Sequence, residues 1–348
     1  MINSLQQEDI REFVTDFNFS CLPLNGSYLI TGATGLIGST LVRCLLALNK
    51  DIAITCPVRN IAKAYSMYGD DCRKINFVEC DLIEYLNGLS GKEEFQYIVH
   101  CASPTSGKYM TEYPVETYML AIDSTRTILD YARRNNIKGV LYISSIEYYG
   151  QIFDDRIITE DMQGFVDSTD PRSSYPLGKR AAEYLCCIYA KQYGVNVKVA
   201  RLTQTFGAGV ADNDNRVFAQ FARSIIAGKD IVLHTQGKSA KPYCYTTDCI
   251  SAILYILLKG EKGEAYNVAN QDTYISIRGL AEFLRDNFNS NINVVVEEHL
   301  DTGYAPTTLL HLSSEKLMSL GWRPKYDLKE MFRRLIESMC SDRIIPSK

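Results

Sequence analysis

The run T-G-A-T-G-L-I-G, Thr31 to Gly38, constrains this chain more than any other feature. It closes the apolar stretch Y-L-I-T-G and leads straight into a helical pattern from Leu36 to Leu48. Glycines at 32, 35 and 38 permit a tight turn, a close backbone approach to a ligand and close helix-strand packing. The helix N-terminus beyond them presents unpaired N–H groups suited to phosphate. Between a first strand and a first helix, this spacing predicts a dinucleotide cradle made by Gly32, Gly35, Leu36, Ile37 and Gly38.

Downstream, D-I-A-I-T-C, K-I-N-F-V-E-C, Q-Y-I-V-H-C-A and G-V-L-Y-I-S-S read as strands. Helical patterns run from about Pro114 to Asn135 and from near Tyr175 to about Tyr193, followed by V-N-V-K-V-A-R-L. Such alternation predicts an α/β fold, a doubly wound parallel sheet covered on both faces. A short amphipathic helix from about Glu8 to Asn18 precedes it, and Pro23 to Gly26 breaks the chain. Beyond Gly207 the chain becomes loop-rich, with D-N-D-N-R and G-K-S-A-K-P. The expected division is a helical extension (1–26), a dinucleotide-binding domain (27–206), a smaller mixed α/β lobe that is predominantly substrate-binding (207–330), and a C-terminal helix and tail (331–348).

With 348 residues and 46% hydrophobic content, the chain can bury a large core. A net charge of −4 without long single-sign runs argues against nucleic acid and polybasic membrane contacts. The N-terminus lacks a signal-peptide pattern and no apolar stretch reaches a membrane span, so a cytoplasmic protein is expected. Eleven cysteines without a C-x-x-C pair read as reduced, mostly buried thiols. His100, His234, His299 and His311 lie far apart in no ligand-like spacing, and no metal site is expected.

In S-S-Y-P-L-G-K, Tyr175 stands one helical turn ahead of Lys179, so phenol and ammonium can share a site. Spacing alone decides little, because Tyr255 and Lys259 repeat it inside A-I-L-Y-I-L-L-K-G. That second pair reads as a buried helix face ending in a cation and a glycine. The first pair has a different setting, downstream of the glycine turn and of a strand ending in S-S-I-E-Y-Y-G, Ser144 to Gly150.

On these motifs the chain resembles the extended branch of the short-chain dehydrogenase/reductase superfamily, with its Rossmann fold and its NAD-dependent nucleotide-sugar epimerases, dehydratases and decarboxylases. The resemblance runs from Gly26 to about Tyr326. It implies Tyr175 as acid/base, Ser145 as its hydroxyl partner, Lys179 as electrostatic support and ribose ligand, and Glu147 as a proton-handling group near C5. An unperturbed phenol near pKa 10 is a poor base at neutral pH, so a neighbouring ammonium and a cationic nicotinamide are expected to favour the phenolate. The same resemblance places Asp81, Leu82 and Ala102 along adenine and ribose, with Ser103 beside them on the substrate. Arg59 stands where NAD binders carry an acid; arginine suits a 2′-phosphate or stacking on adenine, which leaves NAD and NADP both open.

Within the superfamily the UDP-glucuronate decarboxylase branch is the most similar, through H-C-A-S-P, P-R-S-S-Y-P-L-G-K-R, V-A-R-L-T-Q-T-F-G, D-N-R-V-F-A-Q-F and G-K-S-A-K-P-Y-C-Y-T-T-D. By that match Arg172 binds a substrate carboxylate, and Gln204, Arg216, Lys241 and Tyr245 hold the nucleotide diphosphate. Gln204 and Lys241 depart from the usual asparagine and arginine, and Ala121 and Ala208 from the usual asparagine and proline. Dehydratases carry an acid beside the glutamate, where this chain has Ile146, which cannot donate a proton. The implied reaction passes through a transient 4-keto nucleotide sugar. Decarboxylation leads, followed by C4 epimerisation and by net reduction with NADPH, with dehydration disfavoured. A non-catalytic dinucleotide sensor fits poorly with Ser145, Tyr175 and Lys179 all present. The resemblance also implies a homodimer formed through helices 114–135 and 175–193.

Overall fold

The computed structural model describes residues 2–17, 22, 24–48, 51–89, 95–104, 107–135, 137–298 and 307–342. Asn18, Pro23, His299 and the tail from 343 lie outside them. After α1 (Ser4–Asp16), strands and helices alternate: β1 (Gly26–Thr31), α2 (Leu36–Ala47), β2 (Ile52–Val58), α3 (Ile61–Tyr68), β3 (Ile75–Glu79) and α4 (Leu82–Gly88). Then follow β4 (Tyr97–His100), α5 (Gly107–Glu112), α6 (Pro114–Asn135), β5 (Gly139–Ser145), the two-residue β6 (Ile157–Ile158), α7 (Ser174–Tyr193) and β7 (Val197–Leu202). The second half contains β8 (Gln204–Phe206), α8 (Val217–Ala227), β9 (Ile231–Leu233), β10 (Ala240–Tyr245), α9 (Thr246–Lys259), β11 (Ala265–Val268), β12 (Asn270–Ser276) and α10 (Ile277–Phe288). It ends with β13 (Val294–Val296), β14 (His311–Leu312), α11 (Glu315–Ser319) and α12 (Leu328–Asp342).

Seven parallel strands form the main sheet in the order β11-β7-β5-β4-β1-β2-β3. Successive side chains along a strand take opposite faces, and both faces here are apolar. Ile30, Val99 and Leu141 pack under Leu41 and Leu45 of α2 and Ile253, Leu254 and Leu257 of α9. Leu29, Ile98 and Val140 pack under Ile128 and Leu129 of α6 and Ala182 and Cys186 of α7. The strand order reverses between β1 and β4, opening a crevice at their C-terminal ends where open α/β sheets bind ligands. The seventh strand, β11, and its covering helix α9 come from the stretch expected to belong mainly to the lobe. A-Y-N-V is short and lacks alternation, so nothing local marks it as a sheet strand.

The lobe holds a β8-β10-β12 sheet and a β9-β13 pair. Its core is Phe206, Phe218, Tyr243, Leu280, Met331 and Phe332, with Phe206 stacked on Phe218 at 4.6 Å between ring centroids. Helix α1 joins this lobe to the main sheet. Asn3 and Gln6 form a capping box at its start, and Phe13 and Phe17 enter the main core. Buried Asp9 receives Arg334 of α12 and the Tyr245 hydroxyl, both at 2.6 Å. Against the cost of its burial, Lys325, Arg334 and Tyr326 bring the Glu12 carboxyl down to about 2. No helix of the described residues is long and apolar enough to cross a membrane. All described cysteines are free thiols, and Cys44, Cys56, Cys186, Cys244 and Cys249 are buried.

Candidate active site

The glycine turn caps β1. Gly32 has φ +71°, and a Cβ there would lie 2.8 Å from the Ala102 nitrogen. A Cβ on Gly38 would lie 2.3 Å from the Gly32 carbonyl oxygen. These two glycines therefore build the turn itself. Gly35 differs: it is exposed, and its Cβ would meet only the Gly32 oxygen, at 3.4 Å. It is the N-cap of α2 and supplies no side-chain cap, which leaves the helix end free for an anion. Leu36 packs toward the lobe core and Ile37 toward the main core, so both can offer a pyrophosphate only backbone N–H. A bare surface at Gly35 beneath an uncapped helix end fits the pyrophosphate of a dinucleotide.

Beside the turn, hydrogen bonds fix the end of β4. The Ala102 N–H donates to Thr31 Oγ1 at 3.1 Å, and Thr31 Oγ1 lies 2.7 Å from His100 Nδ1. His100 Nε2 is 3.1 Å from Ser124 Oγ, which spends its own proton on the Leu120 carbonyl at 2.6 Å. Ser124 can thus only accept from the ring, which assigns the proton to Nε2 and makes Nδ1 the acceptor for Thr31. Burial, with a contribution from Lys179, pushes His100 down to about 3, so the ring stays neutral. This chain of bonds holds Ala102 against Gly32.

On the adenine side, Arg59 is exposed at the end of β2. Asp81 is the N-cap of α4: its Oδ1 accepts from Ile83 and Glu84 N–H at 2.8 and 3.2 Å, and it carries that structural duty whatever else it touches. Leu82 packs against the core beneath α6 and α7.

Tyr175, Ser145, Ser103, Glu147 and Lys179 come together at the ends of β4 and β5 and the start of α7. Ser145 and Ser103 lie beside the Tyr175 phenol and favour its ionised form, against burial and the Glu147 carboxylate. Ser145 Oγ also accepts the Glu147 N–H at 3.2 Å, in a turn that leaves Glu147 exposed. Lys179 is 2% exposed; its Nζ donates to the Ile143 carbonyl at 2.8 Å and lies 5.5 Å from the Tyr175 ring. Burial pushes Lys179 down to about 8. The same burial, with the Glu147 carboxylate adding to it, pushes Tyr175 up to about 12. In the chain without cofactor, desolvation therefore dominates at Tyr175, and the expected shift toward phenolate by ammonium and cationic nicotinamide together concerns the cofactor-bound site.

The expected substrate residues are less uniform. Arg172 is exposed in a short turn, Pro171–Ser173, capped by Asp170 at 2.9 Å. Gln204 and Lys241 are half-buried on β8 and β10. Arg216, at the N-cap of α8, is folded onto Asp214 in a two-pronged pair at 2.5 and 3.0 Å and lies over Phe218. Tyr245 is not brought to the substrate side. It is wholly buried, donates to Asp9 at 2.6 Å and accepts from the Ala208 N–H at 3.3 Å, so its work is to hold α1. Arg180 serves the framework, donating to the carbonyls of Tyr148, Tyr149 and Gly164. The Thr31, His100 and Ser124 chain and a buried Glu183–Arg201 pair carried no motif by which they could be found. Among the described residues no cluster of metal-ligating side chains occurs.

Residues 28–269 match the NAD dependent epimerase/dehydratase family. UDP-glucuronic acid decarboxylase 6 of Arabidopsis thaliana is 28% identical over 311 residues, covering 88% of this chain and 86% of that protein. UDP-glucuronic acid decarboxylase 1 of Xenopus tropicalis is 27% identical over 329 residues, covering 91% and 75%. The fold is similar to UDP-glucose 4-epimerase of Thermotoga maritima, solved with UDP-glucose, at a TM-score of 0.76 and 18% identity over 91% of this chain and 99% of that one. It is also similar to dTDP-glucose 4,6-dehydratase of Bacillus anthracis in complex with NAD, at a TM-score of 0.75 and 21% identity over 92% and 98%. With a match over most of its length and a glycine turn that fits the dinucleotide, this chain belongs to the NAD-dependent epimerase/dehydratase family, whose cofactor is NAD.

Proposed function

We propose that this chain decarboxylates a UDP-glucuronate-like nucleotide sugar through a transient 4-keto intermediate. The carrying observation is the convergence of Tyr175, Ser145 and Ser103 hydroxyls beside buried Lys179, with exposed Glu147 on the adjoining turn. The extent of the match to UDP-glucuronic acid decarboxylases supports the choice of substrate.

Tyr175 takes the proton of the sugar C4 hydroxyl, which Ser145 holds in line. The Gly32–Gly38 turn and Lys179 would hold NAD, which would supply an acceptor for the C4 hydride, its return to C4 after CO2 is lost, and a positive charge that favours the phenolate. The resulting ketone lies β to the C6 carboxylate, an arrangement that loses CO2 readily, so the protein's task is positioning. Arg172 would orient the carboxylate before its loss. Glu147 would hold a water or proton near C5 for the return step. Beside Glu147, Ile146 is buried in an apolar cluster with Tyr148, Tyr149 and Leu312. That leaves no acid there to protonate a departing C6 hydroxyl, which disfavours dehydration.

One observation favours a second reading: Arg59 stands exposed where an acid would select NAD, and a net reduction of a 4-keto sugar with NADPH would use it. The deciding experiment is the product mass after purified protein and NAD are incubated with UDP-glucuronate, with Tyr175→Phe as control. Loss of CO2 by the wild type alone supports decarboxylation. An unchanged mass, with turnover of a neutral or 4-keto nucleotide sugar instead, would replace it by epimerisation or reduction.

A further inference from the structure

Glu183 is buried one turn beyond Lys179 on α7, and no part of the chemistry above uses it. Its Oε1 accepts a short hydrogen bond from Ser144, the residue before Ser145. Arg201 of β7, also buried, grips both carboxylate oxygens: Nε at 3.2 and 3.0 Å, Nη2 at 2.8 Å. From Arg201 the network continues forward. Nη1 donates to the Tyr149 hydroxyl at 2.9 Å and to the Glu160 carbonyl at 2.7 Å, and Tyr149 donates to Asn267 of β11 at 2.6 Å. The guanidinium carbon lies 3.5 Å from the centre of the Tyr148 ring. Tyr148 and Tyr149 close the turn that carries Glu147.

A buried ion pair is a poor means of stabilising a fold, since desolvation cancels much of the attraction. What it does supply is direction: a two-pronged guanidinium and a carboxylate with fixed lone pairs accept one geometry. Here that geometry ties together three elements that each carry a group of the site. We propose that Glu183, clasped by Ser144 and Arg201, is the positioning residue of this site, setting Lys179, Ser145 and the Glu147 turn relative to one another. Burial pushes the Glu183 carboxyl up, and the buried Arg201 guanidinium and the Ser144 hydroxyl oppose it. The other groups facing Lys179 are Tyr175 and Cys186 of α7, Tyr142 of β5, and His100 and Cys101 at the end of β4. Glu183 is the one carboxylate among these.

The inference rests on the assignment of Tyr175 and Lys179 to the chemistry, so its first readout needs no substrate. In the full chain with 13C-labelled lysine, the Lys179 side-chain resonance, assigned by its loss in Lys179→Met, is titrated in wild type and in Glu183→Gln. The amide keeps the shape and removes the charge. The Lys179 titration is expected to move about one pH unit lower, and kcat with UDP-glucuronate to fall about 100-fold at unchanged KM. A wild-type titration of Lys179 in folded Glu183→Gln overturns the proposal whatever turnover does. Should that variant fail to fold, Ser144→Ala removes one bond and leaves the ion pair. Lower kcat at wild-type KM and Tm then supports the proposal, and wild-type kcat overturns it. If Tyr175→Phe retained turnover, the catalytic reading would fall while the titration still reported on Glu183.

Discussion

At the scale of single residues, the site shows how burial and function pull on the same groups. Tyr175 is expected to be a base, yet its surroundings in the free chain favour the neutral phenol. Lys179 is expected to be a cation, yet burial favours its neutral amine. The free chain therefore keeps the phenol neutral, and a positive charge arriving with NAD would act against that burial. Gly38 is a simpler case. Any Cβ there meets the backbone of Gly32, which has no freedom to move aside. Gly38→Ala is therefore expected to distort the turn and weaken NAD binding at least tenfold, measured by isothermal titration, while far-UV circular dichroism stays that of a folded α/β protein.

At the scale of elements, α9 and the segment leading into α12 meet at Asp248. This buried carboxylate in the first turn of α9 accepts the N–H groups of Lys325 at 3.0 Å and Tyr326 at 3.1 Å. Burial still outweighs those bonds and pushes it from 3.8 to about 7. The sign of the consequence is fixed by linkage. Between these values the folded state holds a proton that the unfolded state has released, so stability from this group is complete below about pH 4 and is lost as pH rises through about 7. Asp248→Asn keeps an oxygen for both N–H groups and removes the titration. Thermal unfolding from pH 4 to 8 should therefore show a smaller loss of Tm in the variant than in wild type; an identical profile would contradict it.

At the scale of the whole molecule, the lobe is held to the main sheet through α1. Asp9, Arg334 and Tyr245 meet where α1, α12 and β10 converge, so α1 is tied to the lobe by buried polar bonds. On the opposite side, α6 and α7 turn apolar groups outward: Val115, Met119 and Leu120 of α6, and Tyr184 of α7, which is 66% exposed. Two such helices from each of two chains would make a four-helix contact. We expect a homodimer by light scattering at micromolar concentration, and Tyr184→Asp is expected to convert it to a monomer with unchanged circular dichroism. A monomeric wild type would contradict this.

Much of the fold was legible in the sequence because local rules write it there. The glycine turn, the strand-helix alternation and the spans of α6 and α7 follow from periodicity and from backbone needs that neighbours along the chain satisfy. The grouping of Ser145, Tyr175 and Lys179 was legible only through the family resemblance, since spacing alone left the Tyr175–Lys179 pair undecided. Tertiary structure alone decided the rest. It drew β11 into the main sheet, turned Tyr245 inward to Asp9, folded Arg216 onto Asp214 and buried the Tyr175 phenol so that it stays neutral in the free chain. It also joined Glu183 to Arg201, and Thr31 to His100 and Ser124, across stretches of chain that share no pattern. These outcomes depend on what a side chain meets and how much water it loses, and spacing along a chain records neither.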